Sequence, residues 1–157
     1  MKIEIRNIIE PDCEVIFEWS NDPETRHYSF NSEPITWEEH LQWFHKKLSD
    51  KNCYWYHFSS EQTPIGHVRI EKNDVVIISI TISPSFRKKG LGSSIIKAGC
   101  HNFWKSNNND IIAYIKKCNI GSIKSFERAG FKKFSETLIK NEPCVVYKSI
   151  KNENRLF

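Results

Sequence analysis

The segment "SPSFRKKGLGSSII", residues 83–96, carries three consecutive cations, Arg87 to Lys89, directly before a Gly-x-Gly pair. Apolar runs lie on both sides of the segment, and a helix is expected to begin just after Gly90. A helix start exposes unpaired backbone N–H groups and the positive end of the helix dipole. Glycines let a ligand approach that backbone closely. We therefore interpret the segment as an anion-binding loop that could hold a pyrophosphate.

The spacing of this loop excludes two common nucleotide-binding motifs. A Walker loop needs a lysine after its glycines, whereas here the lysines come first. A dinucleotide-binding fingerprint needs a third glycine, which the sequence after Gly92 does not supply. The strand before the loop also belongs to a series of hairpins rather than to a βαβ unit.

The hydrophobic periodicity predicts the elements that position this loop. Alternating runs indicate seven strands, at 2–8, 53–60, 64–72, 75–82, 110–117, 131–140 and 143–150. Helical spacing and capping residues indicate four helices, at 11–19, 36–50, 91–105 and 119–130. The order predicts one α/β (α+β) domain over residues 1–157, with a mixed, mostly antiparallel sheet of about seven strands and about four helices.

Two helix starts are particularly clear. Thr36 and Glu39 form a T-x-x-E capping box, and Trp37, Leu41 and Phe44 follow at helical spacing, which predicts a core-facing stripe. Asn119 is the expected N-cap of the last helix, which Gly130 should terminate.

Two motifs stand about 30 residues apart in the chain. The first is the pattern R-x-x-G-x-G, formed by Arg87, Gly90 and Gly92 after an apolar strand. The second is "NIGSIKSFERAGF", residues 119–131. Together they resemble the GCN5-related N-acetyltransferase (GNAT) superfamily, whose second segment reads N-x-x-S-x-x-x-[YF]-x-x-x-G-F. The order of strands and helices is also that of the family, so the resemblance covers nearly the whole chain.

The resemblance implies a fold in which two central parallel strands splay apart and hold acetyl-CoA between them. The backbone of Ile80, Thr81 and Ile82 is then expected to pair with the pantetheine amides. The loop amides are expected to hold the pyrophosphate with the help of Arg87. The complete set of residues that the resemblance assigns to the cofactor is Ile80, Thr81, Ile82, Arg87, Lys88, Lys89, Gly90, Leu91, Gly92, Ser93, Asn119, Ser122 and Phe126.

The family reaction moves the acetyl group directly from the thioester to a neutral amine, and it needs a base and an oxyanion donor. Ser79 and His67 are the candidate catalytic residues, with Glu71 and Tyr114 as further possibilities. Many family members carry a tyrosine at the position of Phe126, where it protonates the leaving thiolate. Phenylalanine has no proton to give. Another group or water must therefore protonate the thiolate here, or the thiolate must leave without protonation.

The stretch W-x-N-D-P-x-x-R-x-x-S, residues 19–29, is polar, aromatic and turn-like, as a pocket wall would be. With "ITWEEHLQWF" it resembles acetyltransferases that act on UDP-linked 4-amino-4,6-dideoxy sugars on the way to pseudaminic acid. Arg26 or Lys46 would then hold the diphosphate. Ribosomal-protein, peptide N-terminal and polyamine acetyltransferases share the pattern and remain alternatives. The residues expected to bind the substrate are Trp19, Asn21, Asp22, Arg26, Tyr28 and Ser29.

Composition limits the other classes of function. The net charge is +4, and the five cysteines are scattered without zinc-ligand spacing, so no metal site is expected. No signal peptide or membrane-length apolar run is visible, which predicts a cytoplasmic protein without membrane contact. No RNA-binding signature accompanies the cations, so no nucleic-acid partner is expected. A non-catalytic acetyl-CoA sensor remains the alternative of another class, and the chain is expected to be a monomer or a homodimer.

Overall fold

Seven strands form one mixed sheet in the computed structural model, which describes residues 1–151. The end of the predicted domain, residues 152–157, lies outside the described part of the chain. The strands are β1 (Glu4–Asn7), β2 (Cys53–Ser60), β3 (Thr63–Lys72), β4 (Val76–Ile82), β5 (Ile111–Lys116), β6 (Lys132–Ile139) and β7 (Glu142–Ser149). The described residues also form five α-helices: α1 (Cys13–Ser20), α2 (Pro23–Tyr28), α3 (Trp37–Ser49), α4 (Leu91–Trp104) and α5 (Ile120–Arg128). Two short 3-10 helices lie at Glu10–Asp12 and Pro84–Phe86.

The strand order is β1-β2-β3-β4-β5-β7-β6, and every neighbouring pair is antiparallel except β4 and β5. This confirms the prediction of a mixed, mostly antiparallel sheet. The parallel pair is in register only at Ile77 and Ile112, near the start of both strands. Beyond this point the two strands diverge towards their carboxyl ends, and the sheet opens as a wedge.

The helix α2 forms where the sequence indicated only a turn. Asp22 caps this helix, because its carboxylate accepts a hydrogen bond from the backbone N–H of Thr25 at 3.2 Å. Pro23 occupies the first helical position, where its missing N–H costs nothing and its fixed φ fits the helix. The sequence therefore contained the signals for a fifth helix, although the length of only six residues made them hard to distinguish from a turn.

Two apolar cores lie on opposite faces of the sheet. The larger core packs β2 to β5 and β7 against α4 and α5, with Phe58, Ile70 and Phe103 fully buried. The smaller core lies under α1 and α3 and includes Phe44 and Trp55.

The capping box predicted at the start of α3 is present, but the core-facing stripe differs from the prediction. Thr36 Oγ1 accepts a hydrogen bond from the backbone N–H of Glu39 at 3.2 Å. Phe44 is buried as predicted, whereas Trp37 is 40% exposed and His40 is buried in its place. His40 Nε2 lies 2.9 Å from the carbonyl oxygen of Cys13, which gives this polar ring a partner inside the helical layer.

Cross-strand register gives one face of the central strands a polar character. His67 on β3 lies opposite Thr81 on β4, and Arg69 lies opposite Ser79. Residues directly opposite one another point to the same face of a sheet, so these four side chains share the face that α1 and α3 cover. The five cysteines are all free. None of the helices in residues 1–151 is long and apolar enough to cross a membrane.

Candidate functional site

A cavity of about 930 Å³ occupies the wedge between the diverging ends of β4 and β5. Its wall combines both faces of these strands with the loop after β4, the helix α2 and the first turns of α4 and α5. Its volume lies near the upper end of the range for small-molecule sites. The splayed strands therefore create room for a large ligand at the centre of the sheet.

The glycine-rich loop forms one end of this cavity. Lys88 and Gly90 have positive φ angles, +59° and +73°, and Gly90 is the N-cap of α4. This turn directs the chain into the helix, whose first-turn N–H groups have no intrahelical partner. Leu91 and Gly92 also line the cavity, so the backbone of the helix start faces the open space.

Two members of the predicted loop set lie beside the cavity rather than in its wall. Lys89 extends over the ring of Phe86, with its Nζ 5.2 Å from the ring centroid, and Ser93 lies one residue beyond the lining segment. The structure also explains why position 92 is glycine. A Cβ on Gly92 would lie 2.5 Å from Ser125 Oγ, because α4 and α5 approach each other closely there.

The second motif places its residues at the opposite side of the wedge. Asn119 Oδ1 accepts a hydrogen bond from the backbone N–H of Ser122 at 3.2 Å and so caps α5. Both residues line the cavity together with Phe126. Phe126 is 3% exposed and packs edge to face against Phe131, with ring centroids 5.0 Å apart. The motif thus combines a helix cap, a core contact and part of the cavity wall.

Arg87 is held by the acidic start of α2. Its Nη1 lies 2.7 Å from Asp22 Oδ2 and 2.9 Å from Glu24 Oε2, and its Nη2 donates to Thr25 Oγ1 at 3.0 Å. Burial alone would raise the pKa of Asp22, but the hydrogen bond from Arg87 holds that pKa below its usual value. We call this group the Arg87 clamp. It joins the glycine loop to α2, a contact across 62 to 65 residues that no local pattern could reveal.

The predicted substrate residues divide into two groups. Arg26, Tyr28 and Ser29 line the cavity, whereas Trp19, Asn21 and Asp22 do not. The Asn21 amide exchanges two hydrogen bonds of 2.8 Å with the backbone of Ile35, so it ties α1 to the segment before α3.

Arg26, although it lines the cavity, is engaged by its own loop. Its Nε donates to the carbonyl of Ser20 at 2.6 Å, its Nη1 to the carbonyl of Asn31 at 2.7 Å, and its Nη2 to Ser29 Oγ at 3.2 Å. Burial lowers the pKa of this guanidinium. These bonds make Arg26 a brace for the segment after α2.

Four cationic residues in the cavity wall were not singled out from the sequence: Arg69, Lys116, Lys124 and Arg128. Arg69 lies over the ring of Trp43, with its Cζ 4.8 Å from the ring centroid, and its Nε donates to Glu71 Oε1 at 2.7 Å. Lys116, at the end of β5, is buried and donates to the carbonyl of His27 at 3.0 Å. Arg69 and Lys116 occupy strand positions at which a cation is ordinarily exposed at the surface. Only the divergence of the strands identifies them as residues of the cavity wall.

The candidate catalytic residues differ in their surroundings. Ser79 on β4 and Tyr114 on β5 both line the cavity. They share one face of the sheet, since each lies two residues after the registered pair of their strands. Glu71 lies outside the cavity wall. Burial alone would raise the pKa of Glu71, but the hydrogen bond from Lys47 and the charge of Arg69 hold it below its usual value.

His67 lines the cavity and is 3% exposed. Its Nδ1 accepts a hydrogen bond from the indole N–H of Trp55 at 3.0 Å, and Trp19 stacks on its ring with centroids 6.1 Å apart. Burial, assisted by the nearby charge of Arg69, lowers the pKa of His67 to about 3. In residues 1–151, no group of three or more His, Cys, Asp or Glu side chains is arranged to hold a metal ion.

Residues 2–132 match the family model of the acetyltransferase (GNAT) domain. No curated protein matches the sequence significantly. Among solved structures, spermidine N-acetyltransferase from Vibrio cholerae, in complex with CoA and spermine, is 17% identical, with a TM-score of 0.86 and 98% of each chain covered.

Two further structures are similar over nearly the whole chain. A domain from Methanocaldococcus jannaschii is 27% identical, with a TM-score of 0.79, covering 94% of this chain and 99% of that domain. The aminoglycoside acetyltransferase AAC(6')-Ib, in complex with coenzyme A and kanamycin, is 18% identical, with a TM-score of 0.83. The match covers 98% of this chain and 99% of that chain.

Proposed function

This chain belongs to the GNAT acetyltransferase family and is an acetyl-CoA-dependent N-acetyltransferase, and we propose that it acetylates the 4-amino group of a UDP-linked 4-amino-4,6-dideoxy sugar. The proposal has two parts. The first assigns the ends of the cavity to acetyl-CoA and to the acceptor. The second names the acceptor class, which the charge of the cavity wall supports.

The single observation that carries the acceptor class is the charge of the wall. Seven lysine and arginine side chains line the cavity, against one carboxylate, that of Glu24. Even this carboxylate lies 2.9 Å from Arg87 and is neutralised by it. A polycationic acceptor such as spermine would be repelled by such a wall, whereas a sugar nucleotide carries a diphosphate that the wall would attract.

Arg69 and Trp43 are the residues that we assign to the acceptor. An arginine over an indole face offers a flat cationic surface, and aromatic faces suit sugar and base rings. Arg69 binds Glu71 only through its Nε, and its two terminal nitrogens make no other polar contact with the described residues. The two other candidates for the diphosphate are less suitable. Arg26 already donates hydrogen bonds to loop carbonyls, and Lys46 is exposed and lies outside the cavity wall.

We assign acetyl-CoA to the glycine loop and the open edge of β4. The backbone of Ile80, Thr81 and Ile82 would pair with the pantetheine arm as an added strand, because β5 does not pair with this part of β4. The loop amides from Lys88 to Ser93 and the side chain of Lys88 would hold the pyrophosphate. Since two carboxylates neutralise Arg87, we assign it to joining α2 to the loop rather than to the phosphates.

The reacting groups then meet in the wedge. A neutral amine attacks the thioester carbon, the C–S bond breaks, and the ammonium proton and the thiolate must both be managed. Ser79 and Tyr114 contact this space from the two diverging strands and can relay these protons, directly or through water. Phe126 contributes only an apolar wall at the thiol end. A thiolate whose parent thiol has a pKa of about 8.5 is a tolerable leaving group without a dedicated acid.

The test combines binding and turnover. Purified protein is assayed by thermal shift with acetyl-CoA, and then by thiol release with a UDP-4-amino-4,6-dideoxy sugar, spermine, kanamycin and peptides with a free N-terminus as acceptors. We expect stabilisation by acetyl-CoA and prompt thiol release with the sugar nucleotide alone. Thiol release with spermine, kanamycin or a peptide, and none with the sugar nucleotide, would overturn the acceptor assignment. Stabilisation by acetyl-CoA with no release for any amine, peptides included, would favour a sensor.

A matched pair of variants tests the acceptor surface. Arg69→Gln is expected to raise the KM for the sugar nucleotide about tenfold, as expected for one charge-assisted contact worth about 1.4 kcal/mol. Lys46→Gln removes the same charge outside the wall and should leave KM unchanged. Equal effects of the two substitutions would argue against a specific role for Arg69.

A further inference from the structure

The imidazole of His67 is fixed in one tautomer by its indole partner. An indole N–H can only donate, so Nδ1 of His67, which lies 3.0 Å from Trp55 Nε1, must present its lone pair. In the neutral ring the proton then sits on Nε2. The ring edge that remains is therefore a donor, and it has no lone pair with which to accept a proton from a substrate.

That donor has no partner within the protein. Nε2 of His67 is buried and makes no hydrogen bond to any residue that the structure describes. Buried donors without partners cost free energy, so they are rare in folded proteins and call for a ligand or a bound water. His67 is also part of the cavity wall, which makes a ligand in that cavity a candidate partner.

The surroundings keep the ring neutral and in place. Burial is the largest factor that lowers the pKa of His67. Arg69 on its own strand, His57 across the β2–β3 pair and His40 in the helical layer act in the same direction, and the negative charge of Asp12 opposes them without reversing the shift. Trp19 stacks on the ring, and Trp55 meets it edge to face with centroids 5.8 Å apart. Two indoles and an indole hydrogen bond thus hold the imidazole against rotation.

We propose that His67 is a specificity-determining residue whose Nε2–H donates a hydrogen bond to an oxygen of the bound acceptor, and that it is not the general base. The oxygen is a hydroxyl or a carbonyl, since either accepts from a neutral N–H. The identity of this acceptor rests on the proposed amino-sugar function. The fixed tautomer rests only on the contact with Trp55.

The tautomer can be measured without any substrate. Protein labelled with ¹⁵N-histidine is examined by long-range ¹H–¹⁵N correlation NMR between pH 5 and pH 8, with and without CoA. His67→Gln identifies the signals by their loss. We expect a neutral Nε2–H imidazole at every pH. Protonation of His67 within this range, or an Nδ1–H tautomer, would overturn the proposal. Trp55→Phe should release the constraint and mix the two tautomers.

Kinetics then separates a donor from a base. Glutamine keeps an N–H donor near the position of Nε2, whereas leucine removes it. We expect His67→Gln to retain acceptor kcat/KM within about tenfold and His67→Leu to lose a further tenfold or more, mainly through KM. The pH dependence of kcat/KM should have the same shape in wild type and His67→Gln. If His67 were the general base, the pH profile of both variants would lose the limb that reports the titration of this base, and glutamine would restore no activity.

His57→Gln is the matched control, because His57 is equally buried opposite His67 but does not line the cavity. This variant should leave the acceptor KM unchanged, and an equal rise in KM would overturn the proposal. If the sugar nucleotide is not turned over, the proposed acceptor fails while the NMR measurement still decides the tautomer. Turnover of spermine alone would overturn the donor role, because spermine offers no oxygen.

Discussion

The Arg87 clamp should contribute measurably to stability, and a double-mutant cycle can isolate its central ion pair. The perturbation is Asp22→Asn, combined with Arg87→Gln. Asparagine is as good an N-cap as aspartate, so the first change removes the charge but keeps the cap of α2. Any coupling between the two substitutions therefore reports on the ion pair rather than on the helix start.

The magnitude follows from the geometry of the clamp. A hydrogen bond to a charged group contributes about 1.5–3 kcal/mol. The side chains of Arg87 and Asp22 are 21% and 17% exposed, and Arg87 keeps Glu24 at 2.9 Å when Asp22 is changed. Both the partial exposure and the remaining contact with Glu24 reduce the contribution of the ion pair, and we expect a coupling free energy of about 1 kcal/mol. For a domain of this size such a loss lowers Tm by about 2–4 °C.

Urea unfolding at several pH values is the assay. The pKa of Asp22 is lowered in the folded protein, so its stabilising contribution is complete above its unfolded pKa of about 3.9. The contribution is lost as the pH falls through the lower folded value. The coupling should therefore be equal at pH 7 and pH 5 and should decrease below about pH 4. Glu24→Gln, at a side chain that is half exposed, should show a smaller coupling to Arg87.

Two results would refute this reasoning. A coupling below about 0.3 kcal/mol at pH 7 would mean that the ion pair is not formed in solution. An acetyl-CoA affinity that rises tenfold in Asp22→Asn would mean that Arg87 leaves the clamp for the pyrophosphate. We expect that affinity to change by less than about threefold, a free-energy difference of about 0.6 kcal/mol.

Three further substitutions and one control substitution test the local geometry, each by urea unfolding. Gly66→Ala should lower the free energy of unfolding by about 2 kcal/mol or more, because its Cβ would lie 2.2 Å from the carbonyl oxygen of Thr81. Gly90→Ala should cost about 1 kcal/mol through its φ of +73° alone, since no atom lies within 4 Å of the added Cβ. Gly121→Ala, in the first turn of α5 with equally open space, is its control and should not lower the free energy of unfolding. Thr36→Ala should cost about 1 kcal/mol by removing the cap of α3, and an unchanged free energy would contradict the capping role.

The sequence contained most of what is local in this protein. Alternation predicted the seven strands to within about two residues, because a half-buried strand must alternate to cover the core. The caps at Thr36 and Asn119 were predicted because a helix start leaves N–H groups that only a nearby side chain can satisfy. The family was recognised from two such local motifs, and the family match confirms it.

Contacts between side chains that lie far apart in the sequence were decided by the tertiary structure. The ion pairs of Arg87 with α2, the bond between Trp55 and His67, and the position of Arg69 over Trp43 all depend on strand order and helix packing. The buried face of α3 also differs from the predicted stripe. Trp37 is exposed and His40 is buried, because packing against α1 rather than periodicity determines which face is covered.

The contrast has one physical reason. Backbone hydrogen bonding and hydrophobic alternation are decided within a few residues, so spacing alone identified the glycine loop and the helix caps. A side chain acquires its charge environment and its remaining hydrogen bonds from whatever the fold brings next to it. The sequence therefore determined where a pyrophosphate loop could form. The order of the strands and the packing of the helical layer decided that Arg87 binds α2 and that His67 presents a donor.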